Sequence, residues 1–455
     1  MAFTPERLLH SLTQLKPSLV KHGSDKRCLV AFSGGLDSSV LLHALMSLCQ
    51  VKHLACHIEA VHIHHGLHQE ADHWADHCQG VCDHFGIKMH LLKVNANAEK
   101  GESPEAAARQ ARYSALASLI DNGDLLLLAH HQDDQAETLL LQLLRGSGPR
   151  GQAGMPAMTS FAGGDILRPL LDTKRSDLAD YAHAHDLRWI EDQSNDDTRF
   201  DRNFLRHRIM PLLKERWPAA SKTLSRAASH QAEASQLLGV LAESDCAMVQ
   251  GSNADVLSVN ALLGLDNARQ RNVLRYWLHD QGFSQPASVH LDNICTEVLQ
   301  ATNDSMPCVH WPGTEVRRYR DDLFAMRPLQ EHDTQACYRW NMKQSLTLPD
   351  LAGKLCSRPV SGQGLKAALC QSMPVTVRFR QGGESCQPVG RDHHHELKKL
   401  FQEVGLAPWE RSRVPLIYLG DQLAAAVGLC LCQPFQALDS EPGLEVEWHQ
   451  SRNQM

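Results

Sequence analysis

Short apolar runs alternate with amphipathic helical stretches between about Arg27 and Trp189. The runs contain neither proline nor glycine, as expected of parallel strands that are buried on both faces; they are residues 28–32 (CLVAF), 58–63 (IEAVHI), 89–94 (MHLLKV) and 125–129 (LLLLA). Ser103-Pro104-Glu105 predicts a helix start, because serine caps, proline suits the first helical position and an acid suits the positive end of the helix dipole. The alternation predicts an α/β domain with a doubly wound parallel sheet.

The pattern changes after Arg208, where the alternation stops and an Ala-, Leu-, Gln- and Glu-rich helix is predicted over Pro211–Leu241. Further on we predict helices at 267–280, 291–299 and 396–404, a strand pair with a Pro-Gly turn within 308–326, and strands at 375–380 and 416–429. The chain therefore divides into a predicted α/β domain over residues 1–215, a helical or α+β domain over 216–335, and a small α+β domain over 336–455.

The composition excludes disorder and gives no sign of a membrane protein. Of 455 residues, 43% are hydrophobic and 21% are charged, which suffices for several cores. No run of 18 apolar residues occurs, and the N-terminus reads as an amphipathic helix rather than a signal peptide. We expect a cytoplasmic protein that is not in a membrane.

The formal net charge of −7 means that any nucleic-acid contact must use local basic patches. Basic residues concentrate in three blocks that are candidates for phosphate contact: Arg199, Arg202, Arg206 and Arg208; Arg317, Arg318 and Arg320; and Lys398, Lys399, Arg411 and Arg413. A solvated charged face is the alternative for each block.

The 14 cysteines are scattered and show no C-x2-C pair, which indicates reduced thiols used as small apolar side chains. Histidines cluster at His62, His64, His65 and His68 and at His393–His395. No ligand spacing is evident around them, and whether they bind metal is left open.

The segment SGGLDSS at 33–39 directly follows the first apolar run and precedes an apolar-periodic helix. Its glycines let the backbone approach an anion, and the first helical amides point unsatisfied N–H groups at it. The serines and Asp37 are able to hold a pyrophosphate and its metal ion, which a plain strand-to-helix turn would leave unexplained. Neither G-x4-G-K-[ST] nor G-x-G-x-x-G is present, so the segment predicts a phosphate cradle of another type.

A second polar block, HHQDDQAETLLLQLLRGSG at 130–148, follows the fourth apolar run. Ligands of open α/β sheets bind beyond the carboxyl ends of strands, so both segments should face one site. Asp134 and Glu137 are three residues apart on a predicted helix, which suits capture of an ammonium group or Mg²⁺. An acidic first turn that only stabilises the helix dipole would explain Asp133 and Asp134 but not the paired histidines.

The 33–39 segment resembles the PP-loop of the ATP pyrophosphatases, which share a doubly wound sheet and split ATP between its α and β phosphates. The 130–151 block, with EDQSNDD at 191–197 and RNFLR at 202–206, resembles signatures of the tRNA(Ile)-lysidine synthetases. Residues 268–278, 316–322 and 378–428 resemble the two C-terminal domains of the family's long form, so the resemblance covers nearly the whole chain.

The resemblance implies a ligase with two steps. The C2 oxygen of the wobble cytidine of an isoleucine tRNA with a CAU anticodon attacks the α-phosphate of ATP, which releases pyrophosphate. The ε-amine of free L-lysine then attacks C2 and expels AMP, leaving lysidine. The expected cofactors are ATP and Mg²⁺, and the expected partner is the tRNA; a monomer and a homodimer are both left open.

The same resemblance implies roles for individual residues. Asp37 would bind Mg²⁺ and act catalytically, Arg202 or Arg206 would contact the α-phosphate, and Asp134 and Glu137 would bind lysine. The residues expected to hold ATP or pyrophosphate are Ser33, Gly34, Gly35, Leu36, Asp37, Ser38, Ser39 and His131. Those expected to contact the tRNA or the nucleotide are Arg109, Arg112, Arg145, Lys398 and Lys399.

Two other functions agree with parts of the sequence. Another PP-loop adenylating enzyme, such as a tRNA thiolase, is disfavoured because Cys28, Cys49 and Cys56 lack the spacing of cluster ligands. A non-catalytic RNA-binding protein is disfavoured because the 33–39 and 131–137 segments are intact.

Overall fold

A computed structural model describes residues 2–19, 26–51, 53–54, 56–64, 66, 70–95, 104–192, 196–302, 305–351 and 353–450. The predicted cap Ser103, His65 and His68 of the first histidine cluster, and residues 193–195 lie outside the described residues. The chain forms two compact units, Met1–Leu238 and Gly239–Met455. The division into three domains stays a prediction.

The N-terminal unit is built on a six-stranded sheet with the order β3-β2-β1-β4-β6-β5. Its strands are β1 Lys26–Ala31, β2 Cys56–His64, β3 Met89–Lys93, β4 Leu125–Leu127, β5 Met158–Phe161 and β6 Gly164–Leu167. Pairing is parallel from β3 through β6, and β5 joins the edge antiparallel. The predicted fold class is confirmed, and the four predicted strands match β1 to β4 within two residues at each end.

The strand order reverses between β1 and β4, which pair through Cys28 with Leu125 and Val30 with Leu127. In open α/β sheets the crevice beyond the carboxyl ends at such a reversal is where ligands bind. The 33–39 segment follows β1 and the 130–137 segment follows β4. The topology therefore places both predicted segments at the same edge of the sheet.

Helices cover both faces of this sheet. The helices of the unit are α1 Pro5–Leu15, α2 Leu36–Gln50, α3 Ala71–Phe85, α4 Pro104–Ala117, α5 Gln132–Leu144, α6 Pro149–Gln152, α7 Arg175–Ala184, α8 Asp201–Phe204 and α9 Met210–Arg216. One core packs α1, α2 and α7 against one face, which includes Val30 and Leu127. The other core packs Leu116 and Ile120, at and beyond the end of α4, against the opposite face, which includes Leu29 and Leu126.

The helix predicted as continuous over Pro211–Leu241 is interrupted. Helix α9 ends at Arg216, and α10 runs from Ala220 to Met248. Pro218 explains the break, because proline has no N–H to donate and disfavours helical geometry at the residue before it, Trp217. The boundary between the two units falls within α10.

The first part of the C-terminal unit combines helices with a sheet of order β7-β10-β9-β8. Its elements are β7 Leu257–Ser258, α11 Val259–Leu263, α12 Asn267–Asp280, α13 Ser288–Asn293, β8 Cys308–Trp311, β9 Thr314–Tyr319 and β10 Asp322–Met326. Trp277, Ile294 and Val316 lie in its common core. The prediction of α12 is confirmed, and the predicted 308–326 strand pair proves to be three antiparallel strands.

The rest of the unit contains a five-stranded sheet, β11-β15-β18-β19-β20, and a four-stranded sheet, β12-β13-β21-β14. The elements are β11 Tyr338–Arg339, β12 Leu346–Leu348, β13 Gly353–Ser361, β14 Leu365–Lys366, α14 Ala367–Ser372, β15 Val375–Arg378, β16 Ser385–Cys386, β17 His395–Glu396, α15 Leu397–Glu403, α16 Pro408–Arg411, β18 Leu416–Leu419, β19 Gln422–Ala426, β20 Cys430–Leu431 and β21 Pro442–Gln450. Among the described residues, no helix is both long and apolar enough to cross a membrane.

Candidate active site

The 33–39 segment forms a tight turn between β1 and α2. Gly34 has a φ of +80°, and a Cβ there would lie 2.9 Å from Cys78 Sγ and from Ile190 Cδ1. Gly35 is the N-cap of α2 and supplies no side chain to cap it. The first amides of α2 are thus available to an anion at the positive end of the helix dipole.

Three serine hydroxyls line this turn. Ser38 and Ser39 are buried and each donates to the Gly35 carbonyl oxygen at 3.0 Å. Ser33 Oγ lies 3.1 Å from Ser38 Oγ and accepts weakly from the Gly35 N–H at 3.4 Å. These contacts hold the hydroxyls beside the backbone amides, which is the arrangement that a phosphate cradle requires.

Asp37 and His131 connect the two sequence segments. His131 is the N-cap of α5, where its Nδ1 accepts from the Asp134 N–H at 3.4 Å while Asp134 Oδ2 accepts from the His131 N–H at 3.0 Å. This capping box leaves Nε2 of His131 as the protonated nitrogen, 3.5 Å from Asp37 Oδ2. Burial alone would lower the pKa of His131, but the charges of Asp134 and Asp37 outweigh burial and raise it.

The second carboxylate oxygen of Asp37 is buried and has no hydrogen-bond partner in the part of the chain that the structure describes. A carboxylate at the end of a phosphate-binding turn fits Mg²⁺, which proteins bind through one or two carboxylates together with substrate phosphates. Asp37 is therefore the residue that would hold the metal ion.

Asp134, Glu137, Arg202 and Arg206 form a closed ionic network. Asp134 Oδ1 accepts from Nη2 of both Arg202 and Arg206 at 2.9 Å. Glu137 receives Arg206 in a two-bond fork at 2.8 Å and Arg202 Nε at 3.1 Å. Glu137 is only 1% exposed, and two positive charges balance two negative ones.

The network forms because α5, α8 and the following turn converge. Asp134 and Glu137 lie on one side of α5, Arg202 lies in α8, and Arg206 lies in a π-helical turn over Leu205–Ile209. Burial alone would raise the pKa of Asp134, but His131 and Arg202 hold it below the ordinary value. The structure thus brings together the two carboxylates predicted to bind lysine and the two arginines predicted to contact the α-phosphate. In this structure the carboxylates and the arginines pair with one another.

Three family models match the chain: a PP-loop domain over residues 8–213, a TilS substrate binding domain over 257–324 and a TilS substrate C-terminal domain over 375–448. A curated protein of Coxiella burnetii named tRNA(Ile)-lysidine synthase is 44% identical over 98% of this chain and 96% of its own length. A protein of the same name from Methylococcus capsulatus is 42% identical over 92% of this chain and 95% of its own length. The chain belongs to the tRNA(Ile)-lysidine synthase family.

Among solved structures, the U34-tRNA thiolase NcsA from Methanococcus maripaludis is 14% identical, with a TM-score of 0.42 over 50% of this chain and 78% of that chain. A TM-score this low adds nothing to what the family models and the full-length relatives show.

Arg112 was predicted as a tRNA or nucleotide contact of this lysidine synthase family member, and the structure places it near Arg202 of the network, among basic side chains around Tyr113. The guanidinium carbons of Arg109 and Arg112, both in α4, lie 4.8 Å and 5.4 Å from the centre of the Tyr113 ring. Arg168, which follows β6, acts electrostatically on Tyr113, and His130, which follows β4, interacts with Asp134, Arg168 and Arg112. No role in the site was assigned to Tyr113, His130 and Arg168 from the sequence, although the pairing of His130 with His131 was noted.

The remaining predicted contacts are exposed. Arg145 is the C-cap of α5, and Arg109 is exposed on α4, where its guanidinium also lies over the Tyr113 ring. Lys398 and Lys399 lie exposed on α15 of the C-terminal unit. Their roles in tRNA binding stay predictions.

Two arginines of the basic blocks make internal contacts instead. Arg318 is 9% exposed and donates to the carbonyl oxygens of Leu299 and Ala301 at 2.7 and 2.8 Å. Arg411 donates to the Leu406 carbonyl oxygen at 2.9 Å and to the Tyr319 hydroxyl at 2.8 Å. Their charge is used to hold the C-terminal unit together.

Proposed function

We propose that this protein is a tRNA(Ile)-lysidine synthase, which ligates free lysine to C2 of the wobble cytidine of an isoleucine tRNA through an adenylated intermediate. The relationship to proteins of that name over nearly the full chain carries the proposal. ATP, lysine and the CAU-anticodon tRNA are its substrates, and we place the reaction in the cytoplasm, where these meet.

In the first step the 33–39 turn binds the pyrophosphate part of ATP. Its α2 amides donate to oxygens that gain charge as the α–β bond breaks, and the hydroxyls of Ser33, Ser38 and Ser39 do so once those of Ser38 and Ser39 rotate away from the Gly35 carbonyl oxygen. Mg²⁺ held by Asp37 would supply further charge neutralisation there. His131 supports Asp37 by directing its Nε2–H at the other carboxylate oxygen.

The second step requires the network of Asp134, Glu137, Arg202 and Arg206 to open. Both carboxylates are already occupied by guanidinium groups, so the lysine ε-ammonium displaces at least one of them. A displaced guanidinium is then free for the α-phosphate, because its planar fork can donate two hydrogen bonds to a pair of phosphate oxygens. We infer that phosphate binding and lysine binding favour each other. Lysine that takes a carboxylate leaves an arginine without a partner, and the phosphate supplies one; phosphate that takes an arginine leaves a carboxylate without a partner, and lysine supplies one.

The thiolase alternative is less well supported. Cys28 and Cys56 lie on β1 and β2 toward the amino ends, away from the site, and Cys78 and Cys82 lie on α3. Burial raises the pKa of the Cys78 thiol to about 12 and that of Cys82 to about 11, so both stay protonated and are poor nucleophiles. Within the described ranges no three His, Cys, Asp or Glu side chains are grouped to bind a metal ion.

The test is to incubate the purified protein with radiolabelled lysine, ATP and total tRNA. We expect one isoleucine tRNA to become labelled, with pyrophosphate released and with no labelling when ATP is omitted. Unlabelled arginine added in excess serves as the control for amino-acid specificity. Release of pyrophosphate without transfer of lysine to any tRNA would contradict the proposal and favour another adenylating enzyme.

A further inference from the structure

The two faces of the sheet present different chemistry at its carboxyl edge. Along β4 the side chains alternate, so Leu125 and Leu127 face the core with α2, while Leu126 and Leu128 face the core with α4. The alternation continues beyond the strand. His131 lies beside Asp37 on the α2 side, and His130 lies with the arginines on the α4 side.

The α4 side carries positive charge without a matching carboxylate. Its cationic cluster consists of the guanidinium groups of Arg112 and Arg168, with the side chains of Tyr113 and His130 beside them; burial lowers the pKa of His130 to about 3, so that imidazole is neutral. No carboxylate of the described residues forms an ion pair with Arg112 or Arg168, whereas Arg202 and Arg206 next to them are fully paired. Arg168 is 5% exposed and donates from Nη1 to the Pro156 carbonyl oxygen at 2.8 Å.

Hydrogen-bonding capacity in the cluster is also unused. Tyr113 Oη, Arg168 Nε and His130 Nδ1 are all buried and make no hydrogen bond of good geometry in the described part of the chain, although the Tyr113 hydroxyl lies close enough to Arg168 and Arg112 to interact with their charges. Groups of this kind are normally satisfied, and three of them beside unpaired guanidinium groups indicate a missing oxyanion. Burial lowers the pKa of Arg112 and of Arg168, as expected of cations that lack an anion.

The reaction offers two small oxyanions, the α-phosphate of ATP and the α-carboxylate of lysine. The pyrophosphate turn lies on the α2 side, with Asp37 and His131, and a guanidinium released from the ionic network is the proposed partner of the α-phosphate, so ATP is already provided for. The cationic cluster adjoins Arg202 on the other side of the Asp134–Glu137 network, which is expected to hold the ε-ammonium. A free amino acid bound by that network needs a cationic partner for its other end.

We propose that Arg112, with Arg168 and the Tyr113 hydroxyl, forms the subsite for the α-carboxylate of the lysine substrate. This inference rests on the proposed function and replaces the predicted tRNA contact of Arg112. It explains how the enzyme selects free lysine rather than any primary amine, because a site built around a carboxylate leaves buried cations unpaired when the carboxylate is absent.

The experiment compares lysine with lysinamide, in which an uncharged amide replaces the carboxylate, at saturating ATP and tRNA. The wild type should show a KM for lysinamide on the order of 10–100 times higher than for lysine. Arg112→Ala should raise the KM for lysine by a similar factor, leave that for lysinamide within about twofold, and leave pyrophosphate release within about threefold. Arg112→Lys should recover part of the affinity for lysine, because it restores the charge without the fork.

Two further variants control for folding. Tyr113→Phe removes one hydroxyl and should raise the KM for lysine by about threefold to tenfold, with no effect on lysinamide. Gln110→Ala, an exposed change on the same helix, should leave both values unchanged.

An equal rise of both KM values in Arg112→Ala, or an unchanged KM for lysine, would overturn the subsite. A collapse of pyrophosphate release would overturn it too, and would assign Arg112 to the α-phosphate. Failure of the proposed function is seen separately, since the unsubstituted protein would then transfer no lysine at all, and the subsite would fall with it.

Discussion

In the N-terminal unit, polar groups at the sheet edge keep hydrogen-bonding capacity that the described part of the protein does not use, whereas in the C-terminal unit the buried side chains of Arg318 and Arg411 donate to nearby carbonyl oxygens and, for Arg411, to the Tyr319 hydroxyl. Asp37 Oδ1 and His130 Nδ1 have no partner among the described residues. Arg318 and Arg411 instead donate to carbonyl oxygens at 2.7 to 2.9 Å.

This difference separates groups kept for a substrate from groups that stabilise the fold. Leaving a buried polar atom unpaired costs roughly 1–3 kcal/mol, so the unpaired atoms beside the phosphate-binding turn are candidates for contact with a substrate. A satisfied buried arginine contributes to stability and has little left to offer a ligand. Removing a group of the first kind should reduce the rate, and removing one of the second kind should reduce the free energy of unfolding.

The largest effect is expected from Asp37→Ala. Loss of the carboxylate that would hold Mg²⁺ should slow pyrophosphate release by at least about 1000-fold, while the free energy of unfolding changes by less than about 0.5 kcal/mol. The affinity for tRNA should stay within about twofold, because this carboxylate touches no RNA. Single-turnover rates, thermal melting and filter binding measure the three quantities. A loss of tRNA affinity as large as the loss of rate would refute the assignment.

The next largest effect is expected from Glu137→Gln, which replaces one carboxylate of the ionic network. Transfer of lysine from a preformed adenylated tRNA should slow about 100-fold, because a neutral amide cannot pair with the ammonium group. Pyrophosphate release should slow less than about tenfold. Quenched-flow experiments measure the rates of pyrophosphate release and of lysine transfer separately. Equal slowing of both steps would indicate that Glu137 contacts ATP rather than lysine.

Arg411→Ala tests the opposite side of the comparison. The side chain is 8% exposed and makes two hydrogen bonds, so its loss should lower the free energy of unfolding by about 2–3 kcal/mol. Pyrophosphate release at saturating tRNA should remain unchanged. Arg339→Ala, at an exposed position of the same unit, is the matched control and should alter stability by less than about 0.5 kcal/mol. Unchanged melting of Arg411→Ala would show that burial alone does not identify the stabilising arginines.

The smallest effect is expected from replacing Lys398 and Lys399 together by glutamate. Both are exposed on α15, so they are available to phosphates. If they bind tRNA, the slope of log affinity against log salt should flatten by about one unit for each phosphate that is no longer neutralised, with little change in the rate at saturation. Binding at several salt concentrations measures the slope. An unchanged slope would assign tRNA binding to other residues of the C-terminal unit.

Local sequence determined the elements and the position of the site. The short, unbroken apolar runs favour β1 to β4 because strands buried on both faces have such composition, and SGGLDSS forms a turn that a Cβ at residue 34 would obstruct. The break at Pro218 is equally local, and the prediction of a continuous helix over Pro211–Leu241 was wrong because a proline inside a helical pattern outweighs the helix propensity around it.

Tertiary structure alone decided what each charged residue contacts. Asp134 and Glu137 are separated from Arg202 and Arg206 by more than sixty residues, so their mutual pairing depends on how α5 and α8 pack and is invisible in the chain. Likewise, His130 and His131 are neighbours of the same residue type, but successive side chains alternate between the two faces of the sheet. His130 therefore lies near Arg112 and Arg168, and His131 lies near Asp37. The sequence specifies which charged groups are present and which helix or turn each belongs to. The free energy of a charged group depends on its burial and on its partners, and both exist only after folding.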